Sequence, residues 1–197
     1  MNLRRTLLAA QATVGAIVGR TGDLFTGDSV VHQALFAVDE HARTPGSAPL
    51  FTEGVPREIY VRLGIAESGR SAVRSVSLKF PDAYGSGHDQ DFLLASSGDG
   101  APLHHVTVPV ATGQPVLYSS LWLYLVGVVP TLFGLRADDV ELGEGDVIEF
   151  CVSAPIGRFR RVGTITLQGR DDAAGDLEFA AGHSGGNIRP LPPVSFY

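Results

Sequence analysis

The chain has 197 residues, of which 44% are hydrophobic, and its mean hydropathy is +0.15. This length and composition are typical of one globular domain with a sizeable core, and they argue against disorder. The net charge is −6 and Lys79 is the only lysine. The sequence shows no basic block of the kind that binds nucleic acid or a membrane surface. Cys151 is the only cysteine, which excludes an intrachain disulfide and a cysteine metal cage.

Residues 1–20 contain two arginines followed by a mildly apolar run. Apolar residues recur there at helical spacing, which predicts an amphipathic N-terminal helix packed on the body of the protein. The alternative is a secretory signal peptide. It is disfavoured because Gln11 and Thr13 interrupt the run and no small-residue cleavage site follows before Arg20. We therefore expect a cytoplasmic protein. The segment SLWLYLVGVV is too short to span a bilayer.

Short segments with alternating apolar and polar residues follow, separated by turns rich in Gly, Pro and Asp. REIYVRLGI shows this alternation well, because Ile59, Val61 and Leu63 share one face of an extended chain. Residues 114–129 are ambiguous between helix and strand. Further strands are predicted for VVHQALFAVDEH, VRSVSLKF, DFLLAS, LHHVTVPV, TLFGLR, DVIEFCVS and RFRRVGTITLQG.

Strands at this short spacing predict a mainly-β protein, built as an antiparallel barrel or a strongly curved sheet. Strands do not alternate with helices along the sequence, which disfavours a doubly wound sheet. The predicted organisation is an N-terminal helix over residues 1–20, a β-barrel domain over 21–170 and an irregular C-terminal tail over 171–197.

The turn GSGHDQD, residues 85–91, is the most polar segment between two predicted strands. Its glycine spacing does not match a dinucleotide-binding loop. His88, Asp89 and Asp91 could bind a cation. A hydrated turn is the simpler interpretation, because adjacent positions on a strand point to opposite faces.

Two other pairs of residues are candidates for binding. His104 and His105 are adjacent, so one of them should face inward as a core histidine or a ligand. Arg158 and Arg160 share a face of a predicted strand and could hold a carboxylate or phosphate, although a solvated outer face is the commoner role.

The segment VRLGIAESGRSAVRSVSLKFPDAYGSGHDQDFLLASSG, residues 61–98, resembles the barrel segment of catalases and of small catalase-like haem proteins of the actinobacterial type. That family has VRFS, a Gly/Ser/Asp loop, RGxAxKF, a turn and then D-L-V. Residues 61–63, 74–80 and 91–94 match these elements in order. LEFAAGHSGGNIRPLPP resembles the family's F-x-P-x-N…G-I-x-P-S-P stretch, and VVH at residues 30–32 resembles its VVHA, with HAR at residues 41–43 as a rival match.

The resemblance implies a catalase-like β-barrel that holds a haem. It implies His32 as the distal acid/base that moves a proton between the two peroxide oxygens. It also implies Arg74 as the partner of a haem propionate and Tyr197 as the iron ligand. The expected activity is then an oxidoreductase reaction with hydrogen peroxide or with an organic or lipid hydroperoxide, and no metal site apart from the haem is predicted.

Two alternatives to the haem enzyme are open. The first is a haem-free barrel of the same fold that binds a small apolar ligand without catalysis. The second is an interaction protein, in which the apolar segment 116–129 packs on a partner protein or on a second copy in a homo-oligomer.

Overall fold

The computed structural model describes residues 25, 27–46, 48–64 and 72–191. No helix in this part of the chain has seven or more residues, and none is long and apolar enough to cross a membrane. Short 3-10 helices occur at Pro49–Phe51, Leu103–His105 and Asp172–Asp176. The strands are β1 (Ser29–Val38), β2 (Arg57–Gly64), β3 (Ser75–Phe80), β4 (Gln90–Ser97), β5 (Val116–Ser119), β6 (Tyr124–Val126), β7 (Val129–Ala137), β8 (Val147–Ser153), β9 (Arg160–Arg170) and β10 (Ile188–Pro190).

Eight of these strands close into an antiparallel barrel. Its order is β1-β2-β3-β4-β5-β7-β8-β9, and β9 pairs back with β1. The first residues of β7 pair instead with β6, and β6 pairs with β10, so these two short strands extend the sheet beyond the barrel. The mainly-β class and the antiparallel barrel predicted from the sequence are therefore confirmed.

Some local predictions differ from the structure. The predicted strand LHHVTVPV is wrong, because its first half is the 3-10 helix Leu103–His105 and its second half forms only isolated bridges at Thr107 and Val110. The chain turns at Gly100, with φ +82°, and Pro102 has no N–H to give to a strand ladder. The ambiguous residues 114–129 contain β5 and β6, and the predicted irregular tail contains the 3-10 helix Asp172–Asp176 and β10. The predicted N-terminal helix over residues 1–20 lies outside the described residues.

The barrel interior is filled by aromatic side chains. Phe92 lies at the centre, with its ring centroid 4.4 Å from that of Phe133, 5.9 Å from Phe80 and 6.0 Å from Phe150. Phe36 joins them at 5.2 Å from Phe80 and 5.1 Å from Phe150. Because these rings come from five different strands, their contacts tie the whole barrel together.

The outer face of the β1–β4 side is covered as well. Ala174, Phe179 and Ala181 follow β9 in the chain and pack against Val31 and Leu93, which point away from the interior. All residues of β3 and β4 are consequently buried, although only alternate ones face the barrel core. A polar side chain on the outer face of these strands is thus enclosed by protein.

Candidate functional site

A polar cavity lies between the connection that joins β3 to β4 and a glycine-rich segment near the C-terminus. We call it the hairpin cavity. Its volume is about 440 Å³. It is lined by Tyr84, Gly87, His88 and Asp89 on one side and by residues 182–186, of sequence GHSGG, on the other. A second cavity of about 380 Å³ shares residues 184–186 and is otherwise lined by Gly127 and residues 187–189.

Tyr84 holds the glycine-rich segment against the β3–β4 connection. A Cβ atom on Gly185 would lie 2.7 Å from Tyr84 Cδ2, and one on Gly186 would overlap the same ring. Gly186 also has φ +50°, which favours glycine. The Tyr84 hydroxyl donates to Gln90 Oε1 at 3.0 Å, and Gln90 Nε2 donates to the His183 carbonyl oxygen at 3.3 Å. The two walls of the cavity are therefore joined through one hydrogen-bonded chain.

A buried ion cluster lies directly behind the cavity wall. We call Lys79, Asp91 and His183 the Lys–Asp–His cluster. Lys79 is 3% exposed and Asp91 is 0% exposed. Lys79 Nζ lies 3.0 Å from Asp91 Oδ2 and 2.9 Å from Asp89 Oδ2, and it also lies 5.6 Å from the centre of the Phe179 ring. A lysine buried this deeply needs such partners, because an unpaired buried ammonium is costly.

Asp91 receives hydrogen bonds on one of its two carboxylate oxygens. Lys79 Nζ, the Ala180 backbone N–H at 2.9 Å and His183 Nδ1 at 2.8 Å all converge on Oδ2. Oδ1 is buried and has no hydrogen-bond partner among the described residues. Burial raises the pKa of the Asp91 carboxyl above its ordinary value, and the donors from Ala180 and Lys79 oppose that rise.

Asp89 is bound differently. Its Oδ2 accepts from Lys79 Nζ, and its Oδ1 accepts from the Asp82 backbone N–H at 3.0 Å. Burial acts to raise the pKa of Asp89, but these hydrogen bonds outweigh it and the pKa lies below its ordinary value. Asp89 is thus an ionised carboxylate whose oxygens are both already hydrogen-bonded within the protein.

His183 connects the buried cluster with the cavity. Its side chain is 37% exposed and lines the cavity, while Nδ1 faces the buried Asp91. The geometry of an imidazole ring directs Nε2 away from the partner of Nδ1. A carboxylate behind a histidine fixes the orientation and tautomer of the ring, which is an arrangement that can move protons.

The residues implied by the catalase resemblance lie elsewhere. His32 in β1 is 8% exposed, and its Nδ1 lies 3.2 Å from the Gln168 carbonyl oxygen. Arg74 is 9% exposed, and its Nε is buried without a hydrogen-bond partner among the described residues. Tyr197 lies outside the described residues. His32 and Arg74 line neither of the two cavities above.

The strand register separates His32 from Arg74. His32 pairs with Val61, and Val61 pairs with Leu78 on β3. Arg74 precedes Leu78 by four residues, a separation of about 13 Å along an extended chain. The interior between these strands is occupied by packed side chains, and the outer face is covered. His32 and Arg74 are therefore separated along the barrel wall.

The other candidate residues lie in different surroundings. No group of three His, Cys, Asp or Glu within the described residues could hold a metal ion, and Asp91 is engaged by three donors. His104 is fully buried, and burial lowers its pKa. Cys151 is buried too, and burial raises the pKa of its thiol to about 12, so it is an inert core residue.

Lys79 and His183 are site residues that the sequence patterns did not identify. A signal for Lys79 was present, because the only lysine of the chain lies on the polar face of an alternating strand. His183 carried no local signal beyond the glycines that follow it, since its partner Asp91 is 92 residues away.

Compared with known proteins, the chain matches no family model and no curated protein.

Proposed function

We propose that this chain is a catalase-like barrel that works without haem and binds a small polar molecule in the hairpin cavity. The observation that carries this proposal is a cavity of about 440 Å³ with His183 in its wall and the buried Lys79–Asp91 pair behind it. The volume falls within the range of small-molecule sites, which is roughly 300–1,000 Å³.

The chemistry of the walls supports a polar ligand. Two histidines, an aspartate, a serine and four glycines line the cavity, whereas the only large apolar ring among the lining residues is that of Tyr84. The barrel interior gives an apolar ligand little support, because closely packed phenylalanine rings occupy it. The polar ligand proposed here thus differs from the apolar one expected from the sequence.

A haem-dependent reaction with peroxides is the second candidate. It is favoured by Arg74, whose buried Nε has no hydrogen-bond partner among the described residues and would suit a propionate. His32 would be its acid/base group and Tyr197 its iron ligand, as the sequence resemblance implies. Haem would supply the redox chemistry when bound.

One experiment separates the two candidates. Gly182 lines the cavity and a Cβ on it would meet nothing within 4 Å, so Gly182→Leu places a side chain in open space at the site. Gly175 is equally open but lies in the 3-10 helix away from the cavity, so Gly175→Leu is the matched control. Each protein is incubated with a deproteinised cell extract, desalted and measured by native mass spectrometry and absorption spectroscopy.

We expect the wild type and Gly175→Leu to retain a small molecule that Gly182→Leu does not retain. Equal retention by all three proteins, or none by the wild type, would refute binding in this cavity. A retained haem mass with a Soret band would favour the second candidate instead.

A further inference from the structure

We propose that His183 is the general base of the hairpin cavity, that Asp91 is its positioning residue, and that the substrate is a small hydroxyl-bearing molecule. This inference rests on the proposed binding function and adds a catalytic activity to it. It follows from the position of one proton, which the contacts of the Lys–Asp–His cluster determine.

The proton of neutral His183 lies on Nδ1. Asp91 Oδ2 already accepts from Lys79 Nζ at 3.0 Å and from the Ala180 backbone N–H at 2.9 Å, so Oδ2 acts as an acceptor. His183 Nδ1 lies 2.8 Å from the same oxygen. Two acceptors at that distance would repel one another, and Nδ1 must therefore donate.

Lys79 does not reverse this assignment. Its Nζ lies 3.3 Å from His183 Nδ1, a longer contact than those it makes with Asp89 and Asp91. A carboxylate oxygen is a stronger acceptor for an ammonium proton than a neutral ring nitrogen is. Lys79 thus balances the charge of Asp91, and Asp91 in turn keeps the proton on Nδ1.

The second ring nitrogen is consequently a proton acceptor, and it belongs to a side chain that lines the cavity. In this tautomer Nε2 has a lone pair and no hydrogen, so it accepts a hydrogen bond from a ligand O–H. Asp89 lines the same cavity, but both of its oxygens are already bound by Lys79 and Asp82. A hydroxyl group is therefore the ligand chemistry that His183 is set up to recognise.

The proposed step is one proton transfer. The O–H bond of the bound hydroxyl breaks, the lone pair of His183 Nε2 forms a new N–H bond, and the electron pair stays on the ligand oxygen as an alkoxide. The resulting imidazolium keeps Nδ1–H on Asp91, whose negative charge stabilises it. The neutral pair becomes one cation and one anion, so charge and atoms balance.

This role requires Nε2 to carry a lone pair. The charged and titratable groups of the cluster and the cavity wall around His183 are Lys79 on β3, Asp91 on β4, and Asp89 and His88 on the β3–β4 connection. Arg62 packs over the Phe179 ring at 4.5 Å and acts electrostatically on Asp91.

The test measures the imidazole directly and needs no ligand. Nitrogen-15 NMR of the full chain at about pH 8, where an ordinary histidine is neutral, distinguishes a protonated from an unprotonated ring nitrogen. We expect the proton of His183 on Nδ1 in the wild type and a mixture of tautomers in Asp91→Asn. A wild-type His183 protonated on Nε2 would overturn the proposal.

Reactivity provides a second readout in the same samples. Diethyl pyrocarbonate acylates an unprotonated imidazole nitrogen and releases ethanol and carbon dioxide. We expect Asp91→Asn to slow this reaction at His183 by about tenfold. This is the lower end of the loss in metal affinity or activity that follows when the hydrogen-bond partner of a metal-binding histidine is mutated. The rate at His88, which lines the same cavity, is the internal control. An unchanged His183 rate in a folded Asp91→Asn variant would remove Asp91 from the mechanism.

The two proposals fail in different ways. If the wild type retains a small molecule but His183 carries its proton on Nε2, binding stands and the general base is refuted. If the proton is on Nδ1 but the wild type retains nothing, the proposed binding function is refuted, and the catalytic role falls with it.

Discussion

Successive residues of β3 and β4 enter two different environments that are equally buried. Val76, Leu78 and Phe80 point into the barrel and pack among apolar side chains. Lys79 lies between two of them in the sequence but points to the outer face, where Asp91 and Asp89 bind it. On β4, Phe92 enters the core next to Asp91, which is on the outer side.

The two environments are stabilised by different forces. The interior depends on burial of apolar area and close packing, which tolerate substitutions that conserve volume. The outer cluster depends on named donors and acceptors, and removing one partner leaves a buried charge behind. Stability is therefore distributed over many contacts in the interior and concentrated on a few atoms beside the cavity.

The largest expected effect is in the interior. Phe92→Ala removes the ring that contacts Phe80, Phe133 and Phe150 and leaves a cavity in the barrel core. We expect the free energy of unfolding to fall by about 4 kcal/mol, as for other buried phenylalanines. Equilibrium denaturation in urea measures it. Phe92→Leu keeps most of the apolar volume and is the control, which should lose about 1 kcal/mol. Equal losses for the two variants would contradict a packed aromatic core.

The next effect is on the outer cluster. Lys79→Met removes the ammonium and leaves Asp91 buried without its cation, so we expect a loss of about 3 kcal/mol at neutral pH. The double variant Lys79→Met/Asp91→Leu replaces both charges by apolar groups, and it should recover more than half of that loss. If the double variant is less stable than the single one, the pair is not the source of the effect.

The free energy of unfolding of the Lys79→Met variant should also depend on pH in a defined direction. Burial already raises the pKa of Asp91, and loss of Lys79 raises it further. The folded state then binds the proton more tightly than the unfolded chain. The stabilisation that this proton contributes is therefore fully present below the pKa of Asp91 in the unfolded chain. It is lost as the pH rises through the pKa of Asp91 in the folded state. The difference in free energy of unfolding between the variant and the wild type should shrink as the pH falls toward about 4, the ordinary pKa of an aspartate.

The smallest effect concerns the contact that closes the cavity. Gly185→Ala places a Cβ against the Tyr84 ring, and we expect a loss of about 2 kcal/mol in thermal or urea unfolding. Gly182→Ala in the same segment meets nothing within 4 Å and should change stability by less than about 0.5 kcal/mol. In a Tyr84→Ala background the cost of Gly185→Ala should vanish. Persistence of that cost would assign it to the backbone instead of to the ring.

Much of the fold could be predicted from the sequence because strand alternation is a local signal. The positions of β2, β3 and β8 follow directly from alternating or apolar runs of β-branched and aromatic residues. The prediction failed at LHHVTVPV, where a turn with Gly100 and Pro102 overrides the β propensity of the valines. The choice between helix and strand remained open at residues 114–129, because short apolar runs suit both equally.

The site was less predictable because its parts are distant in the chain. The polar turn offers Asp91 as a cation ligand, but its actual partners are a lysine 12 residues before it and a histidine 92 residues after it. No local pattern predicts that the segment after β9 folds back over β3 and β4. His32, Arg74 and Tyr197 remain predictions from resemblance to the catalase family.

The sequence by itself determined the mainly-β class, most of the strands and which residues of each of these share a face, because the side-chain period of an extended chain is two wherever it folds. Only the tertiary structure decided that the polar face of β3 and β4 is buried, that Lys79 and His183 meet at Asp91, and that a cavity opens beside them. These features depend on long-range contacts of the covering segment, and the alternation of β3 does not show that its polar face is covered.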